Sequence, residues 1–187
     1  MAAIAGALLV VAIEERFLAS LGMTAFVAGM RKKGWERSLN RMCAKLILEP
    51  NPANHCFGCG GANEFGMRLM FELDQDARRC TGKFILGPRY GGGAGFAHGG
   101  IIAILLDEVM GKISKLTDER AVTAELNIEY RKPVPVDAEI IVSGWQESEK
   151  GRNRFRVGEI HDAQGNLLAR GRGRFVVVGQ PVPAVPV

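Results

Sequence analysis

Apolar and polar positions alternate with different periods along the chain, and the changes of period mark its organisation. Ala2 to Ile13 and Phe17 to Met30 are mainly apolar and a basic tail follows, a pattern that reads as helical. Glu49-Pro50-Asn51-Pro52-Ala53-Asn54 interrupts any regular element, because proline lacks a backbone donor and restricts the residue before it. A boundary near Pro52 separates an N-terminal helical extension, residues 1–50, from a second domain over 51–179. That domain opens with a glycine-rich turn at 55–63. Gly66 to Leu73 and Arg79 to Leu86 then read as two strands of a hairpin joined at Asp74-Gln75-Asp76-Ala77. A glycine loop, Gly91 to Gly95, leads into a helix that ends between Gly111 and Leu116. Its Ile101 to Leu106 are apolar without a break, so no polar face remains and the segment should be buried all round. Strands follow at Ala121 to Tyr130, Glu139 to Ser148, Asn153 to His161 and Leu167 to Val178, rich in Val, Ile, Phe and Trp. Residues 180–187, with three more prolines, read as a disordered tail.

A helix that is apolar all round needs something wrapped about it. The economical solution is an α+β domain in which a curved antiparallel sheet packs one face on the helix and buries both apolar surfaces.

Length and charge narrow the class further. A chain of 187 residues holds one such domain with an appendage. Twenty-four Lys and Arg against 20 Asp and Glu leave a formal charge of +4, too mild to indicate nucleic acid and compatible with a phosphate-bearing ligand. Cys43, Cys56, Cys59 and Cys80 are too few for a secreted disulfide framework, which points to a reducing, cytoplasmic setting. The apolar start is no transmembrane span, since Glu14, Glu15 and Arg16 break it well before the roughly 20 residues a span needs. No basic residue precedes it as in a secretory signal, and its acids do not suit a transit peptide. Arg31, Lys32, Lys33, Arg37, Arg41 and Lys45 leave three readings open: a surface-associating or lid helix, a solvated basic face, or an extension upstream of a true start at Met30 or Met42.

The candidate chemistry lies in Phe96-Ala97-His98-Gly99-Gly100 and the apolar run that ends at Asp107-Glu108. A carboxylate held against hydrocarbon costs several kcal/mol unless paired or hydrogen-bonded, so Asp107 needs a reason to be there. The plain alternative is a helix that stops at Leu106 with Asp107 and Glu108 solvated. Other signals exclude more than they assign. His55-Cys56-x-x-Cys59 has the spacing of a zinc half-site, but no second CxxC completes it, and a tight turn of small residues is the simpler reading, with no metal. The Gly91 to Gly95 run lacks the Lys-Ser/Thr of a phosphate loop, and no serine stands in a G-x-S-x-G elbow.

Cys56-Phe57-Gly58-Cys59-Gly60 with Asn63 and Gly66, His98-Gly99-Gly100 followed by Asp107-Glu108, Thr123-Ala124-Glu125-Leu126-Asn127-Ile128 and Tyr130-Arg131-Lys132-Pro133 occur in an order that resembles the PaaI-like acyl-CoA thioesterases of the hotdog fold, over roughly Asn54 to Val178. The glycine-rich loop before His98 departs from that pattern. The resemblance implies hydrolysis of an acyl-CoA thioester at a homodimer interface with no metal; no cofactor is expected, and whether the homodimer pairs again into a dimer of dimers is left open. A non-enzymatic module that binds acyl-CoA is the alternative of a different class. Within the implied chemistry, Gly99 at the helix start is the oxyanion donor with Gly100 beside it, and Asp107 is the general base or nucleophile. Thr123 would hydrogen-bond Asp107 or the attacking water. His98 either takes part directly or, as favoured, caps the helix and orients substrate. Glu108 points about 100° from Asp107 on a helix and is left to bind a partner group. Arg131, Lys132 and Arg152 are candidates for the coenzyme A phosphates. Gly99 and Asp107 are eight residues apart, on the order of 12 Å along one helix, so two subunits would have to combine to build one site.

Overall fold

The computed structural model describes residues 45–179. The expected helical extension up to residue 44 and the tail 180–187 lie outside the described residues. Seven strands form one antiparallel sheet: β1 (Lys45–Leu48), β2 (Phe71–Asp74), β3 (Arg79–Ile85), β4 (Arg120–Tyr130), β5 (Glu139–Lys150), β6 (Asn153–Asp162) and β7 (Leu167–Gly179). Their spatial order is β1-β2-β3-β5-β6-β7-β4, and one α-helix, α1 (Gly99–Lys112), packs on the curved face. This is the hotdog arrangement.

Two boundaries differ from the sequence reading. Lys45–Leu48, read as the end of a helical extension, pair antiparallel with Phe71–Asp74, and Lys45 Nζ meets Glu72 Oε1 at 2.8 Å. The proline-rich stretch is therefore a connection inside the domain. Its Asn51 carbonyl accepts the Asn54 and Gly61 amides. The strand expected from Gly66 begins only at Phe71, because the Met67 and Leu69 amides donate to the carbonyls of Phe57 and Gly58 instead. Those bonds lay the glycine-rich leader alongside residues 67–69.

The helix sits in a trough. Gly144, Gly158 and Gly171 stand opposite one another across β5, β6 and β7. A Cβ on Gly144 would come within 3.2 Å of the Val109 backbone, and one on Gly158 within 3.2 Å of Leu106 Cδ2. Removing three side chains in register lets α1 approach the sheet closely. Ile102, Leu105, Leu106, Val109, Met110 and Ile113 form the buried stripe, at the i, i+3, i+4, i+7 spacing of one helical face. Ile101, Ala103 and Ile104, expected to be buried, remain partly exposed, because the sheet curves around only one side of the helix in the single chain. Beyond the helix end, buried Arg156 of β6 donates to the Met110 carbonyl and to Ser114 Oγ, both at 2.9 Å, fixing that end to the sheet.

Candidate active site

Each end of α1 presents a different chemistry. At its start, His98 is the N-cap: its backbone is extended (φ −64°, ψ 140°), and its Nδ1 accepts the Gly100 amide at 3.0 Å. The Gly100 N–H is thus occupied, whereas among the described residues the Gly99 N–H donates to no acceptor. An unpaired amide at the first helical position carries the positive end of the helix dipole. Tyr130 donates its hydroxyl to the Gly99 carbonyl at 3.2 Å, joining the end of β4 to the helix start. Gly99, Ile102, Tyr130, Arg131, Lys132 and Phe96 share the lining of a cavity of about 390 Å³. Arg131 is paired to Glu129 at 2.5 Å, and among the described residues Lys132 forms no ion pair. The glycine loop closes this side through Gly92 N–H to the Phe96 carbonyl and His98 N–H to the Tyr90 carbonyl.

Two turns along the helix lies Asp107, half-buried. Thr123 of β4 donates its hydroxyl to Asp107 Oδ1 at 2.7 Å. The β4–β7 register slips between Thr123 and Glu125, so that Ala124 is an extra residue. Such a bulge re-aims the neighbouring side chain. Burial raises the Asp107 pKa above the ordinary aspartate value; the Thr123 hydrogen bond opposes this and the Glu108 charge adds to it. Asp107, Thr123, Lys112 and Lys115 line a second cavity, of about 330 Å³. No residue lines both this cavity and the one at Gly99.

Glu108 is already engaged. Cys56 donates its thiol to Glu108 Oε1 at 3.2 Å, and Lys112 pairs with Oε2 at 3.3 Å one turn on. A Cβ at Gly58 would fall 2.3 Å from Glu108 Oε1, so a side chain there would displace the Glu108 carboxylate. Burial pushes the Cys59 thiol up to about 12, so it stays protonated at neutral pH. Burial lowers the Lys112 pKa, but the Cys59 hydrogen bond and the Glu108 charge outweigh it and leave the ammonium firmly charged.

The structure therefore groups Gly99, Arg131 and Lys132 at one end of α1 and Asp107, Thr123 and Glu108 towards the other. Arg152 lies in the β5–β6 turn, where its carbonyl accepts the Val177 amide, at the Arg120 end of β4 and away from Arg131 and Lys132. Sequence reasoning had no role for Tyr130, Lys112 or Cys56 in this geometry. The CxxC spacing drew attention to Cys56, but its partner is 52 residues away on another element, beyond the reach of a spacing argument.

Comparison with known proteins agrees with the fold. Residues 94–169 match the thioesterase superfamily. Over 103 residues, 55% of this chain and 46% of the relative, the sequence is 31% identical to the acyl-coenzyme A thioesterase THEM4 of Xenopus laevis. The chain spans about half the length of the curated relatives it matches. A crystal structure of a thioesterase superfamily protein superposes with a TM-score of 0.62 at 23% identity, covering 87% of this chain and 89% of that one. A Streptococcus mutans protein solved bound to acetyl CoA gives a TM-score of 0.53 at 21% identity, covering 56% and 84%.

Proposed function

We propose that this protein hydrolyses acyl-CoA thioesters, and that its reaction centre is built from Gly99 of one subunit and Asp107 and Thr123 of another. The observation that carries this reading is the division of labour along α1. One end offers an unpaired amide beside two cationic side chains, and the other a desolvated carboxylate held by a hydroxyl. Thioester cleavage needs both: a donor for the oxyanion and a group that activates water or attacks the carbonyl. Reacting groups must approach within roughly 3 to 3.5 Å, while eight residues of helix separate these two by about 12 Å. Two antiparallel copies of α1 about a two-fold axis bring unlike ends together and create two equivalent centres.

Two features of the single chain support such a dimer. Strand β4 is an edge of the sheet with Val122 exposed, and Ile101, Ala103 and Ile104 lie partly exposed on the adjoining helix. In the proposed reaction Asp107 takes a proton from water as it adds to the thioester carbon, and the negative oxygen is stabilised by the Gly99 N–H. Collapse breaks the carbon–sulfur bond, and the proton passes to the departing coenzyme A thiolate. Attack by the carboxylate itself would give an acyl-aspartyl anhydride that water then opens. Thr123 fixes the Asp107 carboxylate. His98 holds the helix start, with Gly100 as its anchor, so its part is orientation rather than proton transfer. Lys132, and Arg131 if released from Glu129, face the coenzyme A phosphates; Arg152 reaches the site only from its other end. The free thiols at Cys56, Cys59 and Cys80 suit a reducing, cytoplasmic setting. Among the described residues no helix is long and apolar enough to cross a membrane.

Thiol release from acyl-CoA substrates of graded chain length tests the reading, with Asp107→Asn alongside the wild type. Release that depends on Asp107 supports it. Tight acyl-CoA binding without release would establish the binding module instead.

A further inference from the structure

The leader and the helix meet at a cluster for which thioester hydrolysis has no use. Cys56 Sγ, Cys59 Sγ and an oxygen of Glu108 all lie within 4.8 Å of one another, each partly buried. We propose that Cys56, Cys59 and Glu108 bind a thiophilic divalent cation, zinc foremost, that fastens the leader to α1 next to Asp107.

The geometry suits that ion. Ligands at zinc–sulfur and zinc–oxygen distances of about 2.3 and 2.0 Å in a tetrahedron stand roughly 3.5 to 3.8 Å apart. Cys56 Sγ and Glu108 Oε1 are 3.2 Å apart, so a small outward movement makes room. The two carboxylate oxygens are already divided. Oε1 accepts from the Cys56 thiol, and Oε2 is held by Lys112 at 3.3 Å. A one-oxygen ligand with its second oxygen braced by a cation is an arrangement that outer partners give to metal-bound carboxylates. Gly58 supplies the space, since any side chain there would displace the Glu108 head.

Charge also balances. Binding replaces two thiol protons by one divalent ion: two thiolates and one carboxylate give −3, the ion +2, and Lys112 cancels the remaining −1. The fourth position is left to a water molecule. The sequence could not show this site, because its third ligand comes from the middle of another element.

The test uses the full chain, reduced, stripped of metal and assayed for free thiols. Zinc is titrated against a chromophoric chelator, and cobalt is read by its thiolate-to-metal absorption. One cation per chain, release of two protons and a thiolate charge-transfer band are expected. Cys56→Ser/Cys59→Ser abolishes the band, and Glu108→Gln, with both thiols intact, weakens zinc by at least about tenfold. The proposal is overturned if wild-type protein with both thiols free shows no such band, or holds zinc no more tightly than the double variant. Neither readout involves turnover, so failure here leaves the thioesterase reading untouched, and the reverse also holds.

Discussion

Gly99→Pro isolates a single hydrogen-bond donor. Proline at the first helical position removes only an amide that has no intrahelical partner, and its fixed φ suits a helix start. The residue ahead of a proline must be extended, and His98 already is, at φ −64° and ψ 140°. A Cβ at Gly99 would lie 3.6 Å from the nearest Tyr130 atom, an ordinary contact. The fold should therefore persist, and the loss should be that of one oxyanion donor, roughly a hundred- to a thousandfold in kcat, or about 2.7–4 kcal/mol of transition-state stabilisation. Gly99→Ala is the matched control: it adds the same Cβ and keeps the N–H. Thiol release under saturating acyl-CoA, with thermal unfolding to verify folding, gives both numbers. A Gly99→Pro protein within about threefold of wild type, or a Gly99→Ala protein as impaired as Gly99→Pro, refutes the assignment of the amide.

Three further outcomes follow from named contacts. Asp107→Asn should lower turnover about a hundredfold or more while raising the melting temperature. A carboxyl whose pKa rises on folding supports the fold only while protonated and opposes it once pH passes that value, so a neutral amide that still accepts from Thr123 removes the opposition. The acid limb of the rate–pH profile should lie above the ordinary aspartate value, with activity lost as pH falls through it, and Thr123→Val should move that limb to higher pH. A limb that stays in place in Thr123→Val would show that Asp107 does not set it. Gly144→Ala should cost about 1–3 kcal/mol in denaturant unfolding, since its Cβ meets helix backbone that cannot rotate aside; an unchanged midpoint would mean the trough is not close-packed.

Much of this fold is legible from apolar periodicity. The four strands after the helix fall within a residue or two of their expected ranges, because each is rich in Val, Ile, Phe or Trp and is bounded by turn residues. Lys45–Leu48 were missed because four residues carry too little pattern, and their pairing with Phe71–Asp74 is decided by an edge formed elsewhere. The exposed flank of α1 was missed for a related reason. Ile101 to Leu106 show that the helix avoids water, but not how much of the covering comes from its own chain. At the site, Gly99 and Asp107 stand out in the sequence by residue type and position. The capture of the Gly100 amide by His98, the bulge that aims Thr123 and the thiols turned on Glu108 are three-dimensional facts with no periodic signature.

Subunit mixing tests the shared centre most directly. Gly99→Pro and Asp107→Asn homodimers should each be nearly inactive. After exchange at equal concentration about half the dimers are mixed, and each of these holds one centre with both Gly99 and Asp107 intact. Activity should return to about a quarter of the wild-type value. Mixed dimers that form, as verified by differential tagging and mass measurement, yet show no more thiol release than the parents would contradict the account.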